Sequence, residues 1–174
     1  MRMDITVMAV ELGKGIWFIL PAYLANLSAC LLGGGRPLDF GKKLSDGRRL
    51  LGDGVTVRGF AAGVGVGTVV GALQGLVAGS FVYHVEEGFV LGLGAMLGDA
   101  AGSFVKRRMG IERGAPAPVL DQLDFFAGAV VMHYAVFGWL PPARIVLALA
   151  GVTLILHWLT NAVGYLLRLK EVPW

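Results

Sequence analysis

Residues 59–83 read GFAAGVGVGTVVGALQGLVAGSFVY, a continuous stretch that contains no charged side chain. About 20 apolar residues in a helix are enough to cross the ~30 Å hydrocarbon core of a bilayer, so this stretch predicts a transmembrane helix. The whole chain has the same character, with a mean hydropathy of +0.70, 56% hydrophobic residues and only 16% charged residues. A soluble domain is much less apolar than this. The sequence therefore predicts an integral membrane protein.

Four more apolar stretches of similar length lie on either side of this one, separated by polar breaks. The five predicted spans cover approximately residues 15–32, 59–83, 88–105, 121–139 and 145–167. Between the second and third spans, His84, Glu86 and Glu87 indicate a short acidic turn. We therefore expect an all-α, polytopic membrane protein of about five transmembrane helices, with residues 1–174 forming a single domain.

The basic residues indicate the orientation of these spans. Most of them fall in two polar loops, at about residues 33–58 and 106–120, and in the tail. Because basic loops stay in the cytoplasm, we expect the amino terminus outside, the carboxyl terminus and both loops in the cytoplasm, and the cell (plasma) membrane as the location. The two loops contain a single aromatic residue, Phe40, among many basic residues, which argues against a nucleic-acid partner and favours lipid head groups or nucleotide phosphates.

Small residues recur every four positions in two of the predicted spans. The second span contains Gly63, Gly67, Gly71, Gly75 and Gly79, and the third contains Gly94, Gly98 and Gly102. Such stripes let helix backbones approach closely, so we expect these two helices to pack against each other through them. Dimerisation through a stripe that faces lipid is the alternative.

Asp99 lies near the cytoplasmic end of the third predicted span, where an ionised carboxylate needs a cation, a hydrogen-bond donor or water. Gly98, Gly102 and Ser103 would allow close approach to it. Asp99 is therefore a candidate functional residue, and the alternative is a helix-end carboxylate that backbone N–H groups satisfy.

Asp121 and Asp124 are three residues apart at the start of the fourth predicted span, so their carboxylates project from nearly one face of the helix. Two such acids can hold a divalent cation, and the alternative is helix capping. Just beyond Asp99 follow Ser103 and the cations Lys106, Arg107, Arg108 and Arg113. Carboxylates for Mg²⁺ beside a basic loop predict phosphoryl or nucleotidyl transfer.

The first polar loop adds residue types that are common at phosphate sites. It contains Asp46-Gly47-Arg48-Arg49 and the flexible run Gly52-Asp53-Gly54-Val55-Thr56-Val57-Arg58-Gly59. The alternative is a solvated basic loop that serves only to orient the protein. Neither loop contains a P-loop motif.

Several motifs together resemble one family. They are PAYLAN at 21–26, DGRRLLGDG at 46–54, TVRG at 56–59, Gly98-Asp99, SFVKRR at 103–108 and DQLDF at 121–125. This set, which extends over most of the chain, resembles the archaeal CDP-archaeol synthases. The Ser-x-x-Lys-Arg run followed by Asp-x-x-Asp is also similar to the signature of phosphatidate cytidylyltransferases.

The resemblance implies an Mg²⁺-dependent enzyme, and the whole chain as one transmembrane catalytic domain. The enzyme would transfer CMP from CTP to the phosphate of 2,3-bis-O-(geranylgeranyl)-sn-glycerol 1-phosphate, an isoprenoid ether lipid, releasing pyrophosphate. Carried onto this chain, it implies metal binding by Asp99, Asp121 and Asp124, and phosphate binding by Lys106, Arg107, Arg108 and Arg113. It also implies nucleotide or phosphate contacts from Asn26, Asp46, Arg48, Thr56, Arg58 and Ser103. One position departs from the family, since Val55 stands where a lysine is common.

Two other classes of protein are alternatives. A small membrane transporter would place polar groups near the middle of the bilayer, whereas the polar residues here gather at one interface. A non-catalytic membrane scaffold would need none of the carboxylates. A CDP-alcohol phosphatidyltransferase is disfavoured because Asp46-Gly47 is followed by Arg48-Arg49 rather than by the Asp-Gly-x-x-Ala-Arg pattern.

Overall fold

The computed structural model describes residues 5–112, 115–166 and 168, and their secondary structure is helical apart from two isolated backbone bridges, Pro37 with Thr56 and Lys43 with Arg49. This confirms the predicted all-α class. In chain order the helices are α1 (Ile5–Leu32), α2 (Val57–Ala78), α3 (Phe81–Arg108), α4 (Leu120–Phe137) and α5 (Ala143–Leu166).

Within the described residues, four helices are long and apolar enough to cross a membrane. They are α1, α2, α3 and α5. The helix α4 is shorter and carries Asp121, Asp124 and His133, which lower its hydropathy. The chain is therefore a multi-pass membrane protein, while the fifth span and the orientation stay predictions.

The predicted turn at His84, Glu86 and Glu87 is wrong, because these residues lie inside α3. The chain reverses earlier, at Gly79 and Ser80, where Gly79 ends α2 in the left-handed conformation with φ of 73°. A glycine takes this conformation without the penalty of a side chain. The charged residues between two apolar stretches indicated an exposed turn in the sequence. In the structure, Glu87 is instead buried and has hydrogen-bond partners.

The glycine stripes pack as predicted for α2 but not for α3. Gly67 and Gly71 of α2 lie so close to Gly88 and Gly92 of α3 that a Cβ on Gly67 would lie 2.8 Å from the Gly92 Cα. The predicted α3 stripe instead faces α4, where Gly94 and Gly98 meet Gly128 and Gly102 meets Asp124. The two faces of α3 therefore use different glycines, and α3 lies between two close neighbours.

The core is built where α1 and α3 meet α4 and α5. Its buried apolar side chains are Phe18, Ile19, Ala22, Ala25, Leu91, Ala95, Met96, Phe125, Phe126, Ala129, Ile145 and Leu149. Polar contacts supplement this packing, since the Tyr23 hydroxyl lies 2.8 Å from the Thr153 hydroxyl and links α1 to α5. The loop from residue 33 to 56 covers the end of this bundle at which α1 and α3 end and α2 begins.

Candidate active site

A cleft of about 250 Å³ opens where the end of α1, the residues just before α2 and the last third of α3 meet. The structure brings six of the predicted site residues into its lining: Asn26, Thr56, Asp99, Ser103, Lys106 and Arg107. Helical spacing explains the contribution of α3, because Asp99, Ser103 and Lys106 are separated by four and three residues and share one face. The cleft therefore has a carboxylate, a hydroxyl and two cations along a single helix.

The Asp99 carboxylate lies half-buried in this cleft and receives no hydrogen bond from any residue that the structure describes. It interacts electrostatically with Lys106 and with Asp121 of α4. A half-buried carboxylate without a hydrogen-bond donor is costly in an apolar surrounding. Of the two alternatives that the sequence left open, the structure disfavours a helix-end carboxylate held by backbone N–H groups.

Asp124 lies beside the cleft, on the face of α4 that meets α3. A Cβ on Gly102 would lie 2.8 Å from the Asp124 Cβ, so a glycine at this position makes room for the acid. One carboxylate oxygen, Oδ1, accepts a hydrogen bond of 2.6 Å from the Phe125 backbone N–H. Asp124 also interacts electrostatically with Asp99, Lys106 and Asp121, so the predicted acids do form one cluster.

Asp121, the third acid, already has two partners. Its Oδ1 lies 2.5 Å from the Lys106 Nζ, and its Oδ2 accepts a hydrogen bond of 2.8 Å from the Ala117 backbone N–H. The second contact ties Asp121 to the segment before α4 and is not the helix cap that the sequence left open, since the N-cap of α4 is Val119 and no described side chain caps this helix. The first contact holds Lys106 across the gap between α3 and α4.

Arg107 points into the cleft and is under-satisfied. Its Nε is buried and has no hydrogen-bond partner among the described residues. The guanidinium lies next to Gly52, at which φ is 89° and a Cβ would be 3.6 Å from the arginine Cδ and Nη1. A guanidinium with free donors suits a phosphate group, which it can bind through two parallel hydrogen bonds.

Four of the predicted phosphate contacts lie outside the cleft lining and fasten the loop to the bundle. Arg48 donates to the Arg108 carbonyl at 2.6 Å, and Arg108 in turn donates to the Asp46 carboxylate and to the Arg49 carbonyl. Arg58 donates to the carbonyls of Leu32 and Gly33 at the end of α1. Arg113 lies outside the described residues.

Thr56 has a structural role in addition to its place in the cleft. It is the N-cap of α2, and its hydroxyl oxygen accepts hydrogen bonds from the backbone N–H groups of Gly59 at 3.1 Å and Gly34 at 3.2 Å. Val55, where the family commonly has a lysine, is buried in the lining. Arg48 and Arg58 are held by carbonyls. The buried Nε of Arg108, like that of Arg107, has no hydrogen-bond partner among the described residues, but of these four arginines only Arg107 lines the cleft.

Asp39 organises the loop, and the sequence analysis missed it. Its side chain is fully buried and accepts hydrogen bonds from the backbone N–H groups of Gly41, Leu51 and Gly52, each at 3.0 Å. It also forms an ion pair of 2.6 Å with Arg49. Burial alone would raise the pKa of Asp39, but these hydrogen bonds outweigh it and hold the pKa well below its usual range. The only sequence signal is an aspartate two residues before a glycine, which is typical of a turn.

The donor set fits a hard divalent cation in part. Asp99 and the Oδ2 of Asp124 offer carboxylate oxygens, and three acids face a single lysine. In the part of the chain that the structure describes, however, no three His, Cys, Asp or Glu side chains are gathered into a group that could hold a metal ion unaided. A cation here would therefore need oxygen atoms from a substrate or water to complete its coordination, as Mg²⁺ commonly does.

Comparison with known proteins gives a consistent result. A family model described as CarS-like, CDP-archaeol synthase, matches residues 8–174. The CDP-archaeol synthase of Methanopyrus kandleri is 72% identical over 165 residues, 95% of each chain, and that of Methanocaldococcus jannaschii is 46% identical over 170 residues, 91% of this chain and 95% of its own.

A solved structure has the same fold. It is described as an intramembrane enzyme for archaeal membrane lipids biosynthesis, with a TM-score of 0.78 and 47% identity, and the match covers 84% of this chain and 91% of that chain. The expected resemblance and the expectation of an enzyme are thereby confirmed. The chain belongs to the CDP-archaeol synthase family of membrane enzymes.

Proposed function

We propose that this protein transfers CMP from CTP to the phosphate of 2,3-bis-O-(geranylgeranyl)-sn-glycerol 1-phosphate, giving the CDP-linked lipid and pyrophosphate. The observation that carries the proposal is the cleft at the end of α3, where the unbonded Asp99 carboxylate lies close to Lys106 and to the under-satisfied Arg107. The names of the related proteins indicate the class of product, a CDP-linked archaeal lipid. The two cations that line the cleft, Lys106 and Arg107, support a site for phosphate groups at this end of the bundle.

The reaction needs no strong base in this chain. An oxygen of the lipid phosphate is already anionic and attacks the α-phosphorus of CTP, forming the new P–O bond while the bond to the β-phosphate oxygen breaks. Pyrophosphate takes the electron pair and leaves. The side chains therefore act by holding the two phosphates in line and by offsetting negative charge.

Lys106 and Arg107 are the cations that we assign to these phosphates. Lys106 is held by Asp121 in the structure, and it would exchange this carboxylate for a phosphate oxygen when substrate enters. Arg107 already faces the cleft, and its Nε has no hydrogen-bond partner among the described residues. Asn26 and Ser103, which line the same cleft, are placed to donate hydrogen bonds to the nucleotide or to a phosphate.

We assign Mg²⁺ to Asp99 and Asp124, with Asp121 available once Lys106 has moved. When bound, the cation would supply charge neutralisation and orientation of the phosphate oxygens. Two observations support the assignment. Three carboxylates face one lysine, and the Asp99 carboxylate receives no hydrogen bond from the described residues. Arg48, Arg58, Arg108 and Asp46 are reassigned to holding the loop, with an indirect part in catalysis.

We also propose that α4 is the fifth span, that the amino terminus lies outside, and that the cleft faces the cytoplasm, where CTP is made. The basic residues of the two loops support this orientation. The isoprenoid chains would lie between helices and reach the bilayer, while the phosphate reaches the cleft. The plasma membrane follows as the location.

The test is release of pyrophosphate by the purified protein with CTP, Mg²⁺ and the geranylgeranyl ether lipid phosphate. Release that needs the lipid and stops with EDTA would support the proposed reaction and its need for Mg²⁺. Pyrophosphate release without lipid would contradict the proposed lipid acceptor. Release in the presence of EDTA would contradict the proposed dependence on Mg²⁺. A folded protein that releases none would return attention to the transporter and scaffold alternatives.

A further inference from the structure

The turn from Arg36 to Leu44, here called the Phe40 turn, exposes an aromatic side chain in an unfavourable backbone conformation. Phe40 has φ of 50° and is 61% exposed. A left-handed φ is uncommon for a bulky residue and is strained. The ring gains no burial in return, so packing within the described fold does not explain an aromatic side chain at this position.

Internal hydrogen bonds hold the turn in this shape. The Phe40 N–H donates to the Pro37 carbonyl at 3.1 Å, and the Lys42 N–H donates to the Asp39 carbonyl at 2.9 Å. The buried Asp39 carboxylate also accepts the Gly41 N–H. The fold therefore fixes Phe40 outward rather than leaving it on a loose loop.

The cations of the Phe40 turn differ from the other cations of the loop. Arg48, Arg49 and Arg108 are all engaged by carbonyls or aspartates. Lys42 and Lys43, by contrast, are exposed and form no ion pair with any described residue. The Arg36 guanidinium lies 5.7 Å from the centre of the Phe40 ring, and Leu44 is 43% exposed. The turn therefore presents a surface that is both basic and apolar.

The chain geometry keeps this surface close to the membrane. Pro37 pairs with Thr56, the N-cap of α2, and α2 is one of the helices long enough to span. Paired residues on adjacent chains are about 5 Å apart, and the three residues from Pro37 to Phe40 add at most about 10 Å, so the Phe40 Cα is at most about 15 Å from Thr56 at the start of that span. The head-group layer is roughly 5–7 Å thick on each side, so the ring reaches this layer when the turn lies along the membrane surface.

We propose that the Phe40 turn docks on the bilayer surface, with the Phe40 ring at the boundary between head groups and acyl chains and with Lys42, Lys43 and Arg36 on anionic lipid phosphates. Aromatic and basic residues together are the composition that binds this interface. Asp39, next to Phe40, holds the backbone of Leu51 and Gly52 in the cleft wall. Docking would thus keep the cleft wall at the membrane surface; that consequence rests on the proposed function, whereas docking itself does not.

The experiment places a fluorescent reporter in the turn. Full-length Phe40→Trp protein is reconstituted into phosphatidylcholine vesicles with or without phosphatidylglycerol, using lipids brominated on their acyl chains. The wild-type protein, with its four tryptophans, gives the background. Phe89→Trp, at a position 44% exposed on the membrane-spanning α3, is the control for full lipid contact. We expect the emission that Phe40→Trp adds to this background to be quenched, and more strongly in phosphatidylglycerol.

A second comparison tests the charges. Adding Lys42→Gln and Lys43→Gln to Phe40→Trp should remove the extra quenching that phosphatidylglycerol produces, whereas Lys14→Gln, which changes an exposed lysine of α1, should leave it unchanged. If the emission added by Phe40→Trp is not quenched, while that added by Phe89→Trp is, the proposal would be overturned and a protein partner indicated. Equal quenching in vesicles with and without phosphatidylglycerol would overturn the proposed role of the lysines.

Discussion

The helices α3 and α4 enclose two acidic clusters, one toward each end, about 18 Å apart along α3 at the usual helical rise. In the Glu87 cluster, the buried carboxylate accepts a hydrogen bond of 3.2 Å from the Tyr83 hydroxyl and lies 3.2 Å from the His133 Nε2. The other ring nitrogen of His133 lies 3.1 Å from the Trp139 carbonyl. In the Asp99 cluster, Asp99 has no hydrogen bond from the described residues and three carboxylates face one lysine.

The difference is the one expected between a structural cluster and a proposed functional cluster on the same pair of helices. The Glu87 cluster is closed, with His133 fully buried and its ring packed against Phe18 and Phe137 at 4.8 Å each. The Asp99 cluster opens into a cleft, and its three carboxylates face only one lysine among the described residues. A buried polar group that is satisfied stabilises a fold, whereas one that is left unsatisfied indicates a missing ligand.

The largest effect is expected for Asp124→Asn. It removes one negative charge from the Asp99 cluster and keeps the size of the side chain beside Gly102. If Asp124 holds the cation, turnover should fall on the order of 10³-fold, equivalent to about 4 kcal/mol of transition-state stabilisation. Pyrophosphate release measures this, and the thermal midpoint in detergent should stay close to that of the wild type.

Glu87→Gln is the matched control for this substitution. It makes the same change of carboxylate to amide on the same helix pair, within the closed cluster, and should leave turnover nearly unchanged. Equal losses of turnover in the two variants would show that the two clusters do not differ in their importance for catalysis. Full activity of Asp124→Asn would falsify the assignment of this residue to the metal.

The second largest effect is expected for Asp99→Asn. Asp99 lies in the cleft without a donor, so its charge is available to a bound cation or to water. We expect turnover to fall roughly 10²-fold and the Mg²⁺ concentration for half-maximal activity to rise. A titration of activity against Mg²⁺ measures both. An unchanged Mg²⁺ dependence would place Asp99 outside the metal site.

Much of the site could be predicted from the sequence because its residues lie close together along two helices. Asp99, Ser103, Lys106 and Arg107 fall within little more than two turns of α3, so helical spacing alone gathers most of them. Spacing likewise brings Asp121 and Asp124 to one face of α4. The apolar runs predicted the helices themselves, since only regular helices satisfy the backbone in lipid.

The remainder depended on contacts between distant parts of the chain. Glu87 and His133 are 46 residues apart, and nothing in their local sequence indicates that they meet. Arg48 and Arg108 looked like phosphate contacts because residue type does not reveal that a carbonyl or an aspartate already holds the guanidinium. Gly94, Gly98 and Gly102 were assigned to the wrong neighbour, since small-residue spacing identifies a close contact but does not identify the partner.

A moderate effect is expected for Gly102→Ala, which tests whether α3 positions Asp124. The new Cβ would lie 2.8 Å from the Asp124 Cβ and 2.9 Å from its Cγ, so the acid would have to move. We expect turnover to fall roughly tenfold, since small displacements of reacting groups are costly. Gly65→Ala, where a Cβ would meet nothing within 4 Å, is the control and should be fully active. A fully active Gly102→Ala would show that the position of Asp124 is not critical.

The smallest effect on turnover is expected for His133→Ala, which should instead affect stability. A carbonyl only accepts, so the His133 nitrogen facing Trp139 carries a proton, and the other nitrogen forms a hydrogen bond with Glu87. Removing the ring leaves Glu87 with the Tyr83 hydroxyl alone and opens a cavity among Phe18, Phe137 and Trp139. We expect a loss of about 1–3 kcal/mol in the free energy of unfolding, measured in detergent, with kcat nearly unchanged. In the double variant with Glu87→Gln the two losses should not add, because both substitutions act on the same hydrogen bond. A loss of turnover at full stability would instead show that the Glu87 cluster acts on the cleft through α3, and the two ends of the helix pair would then have to be treated as one site.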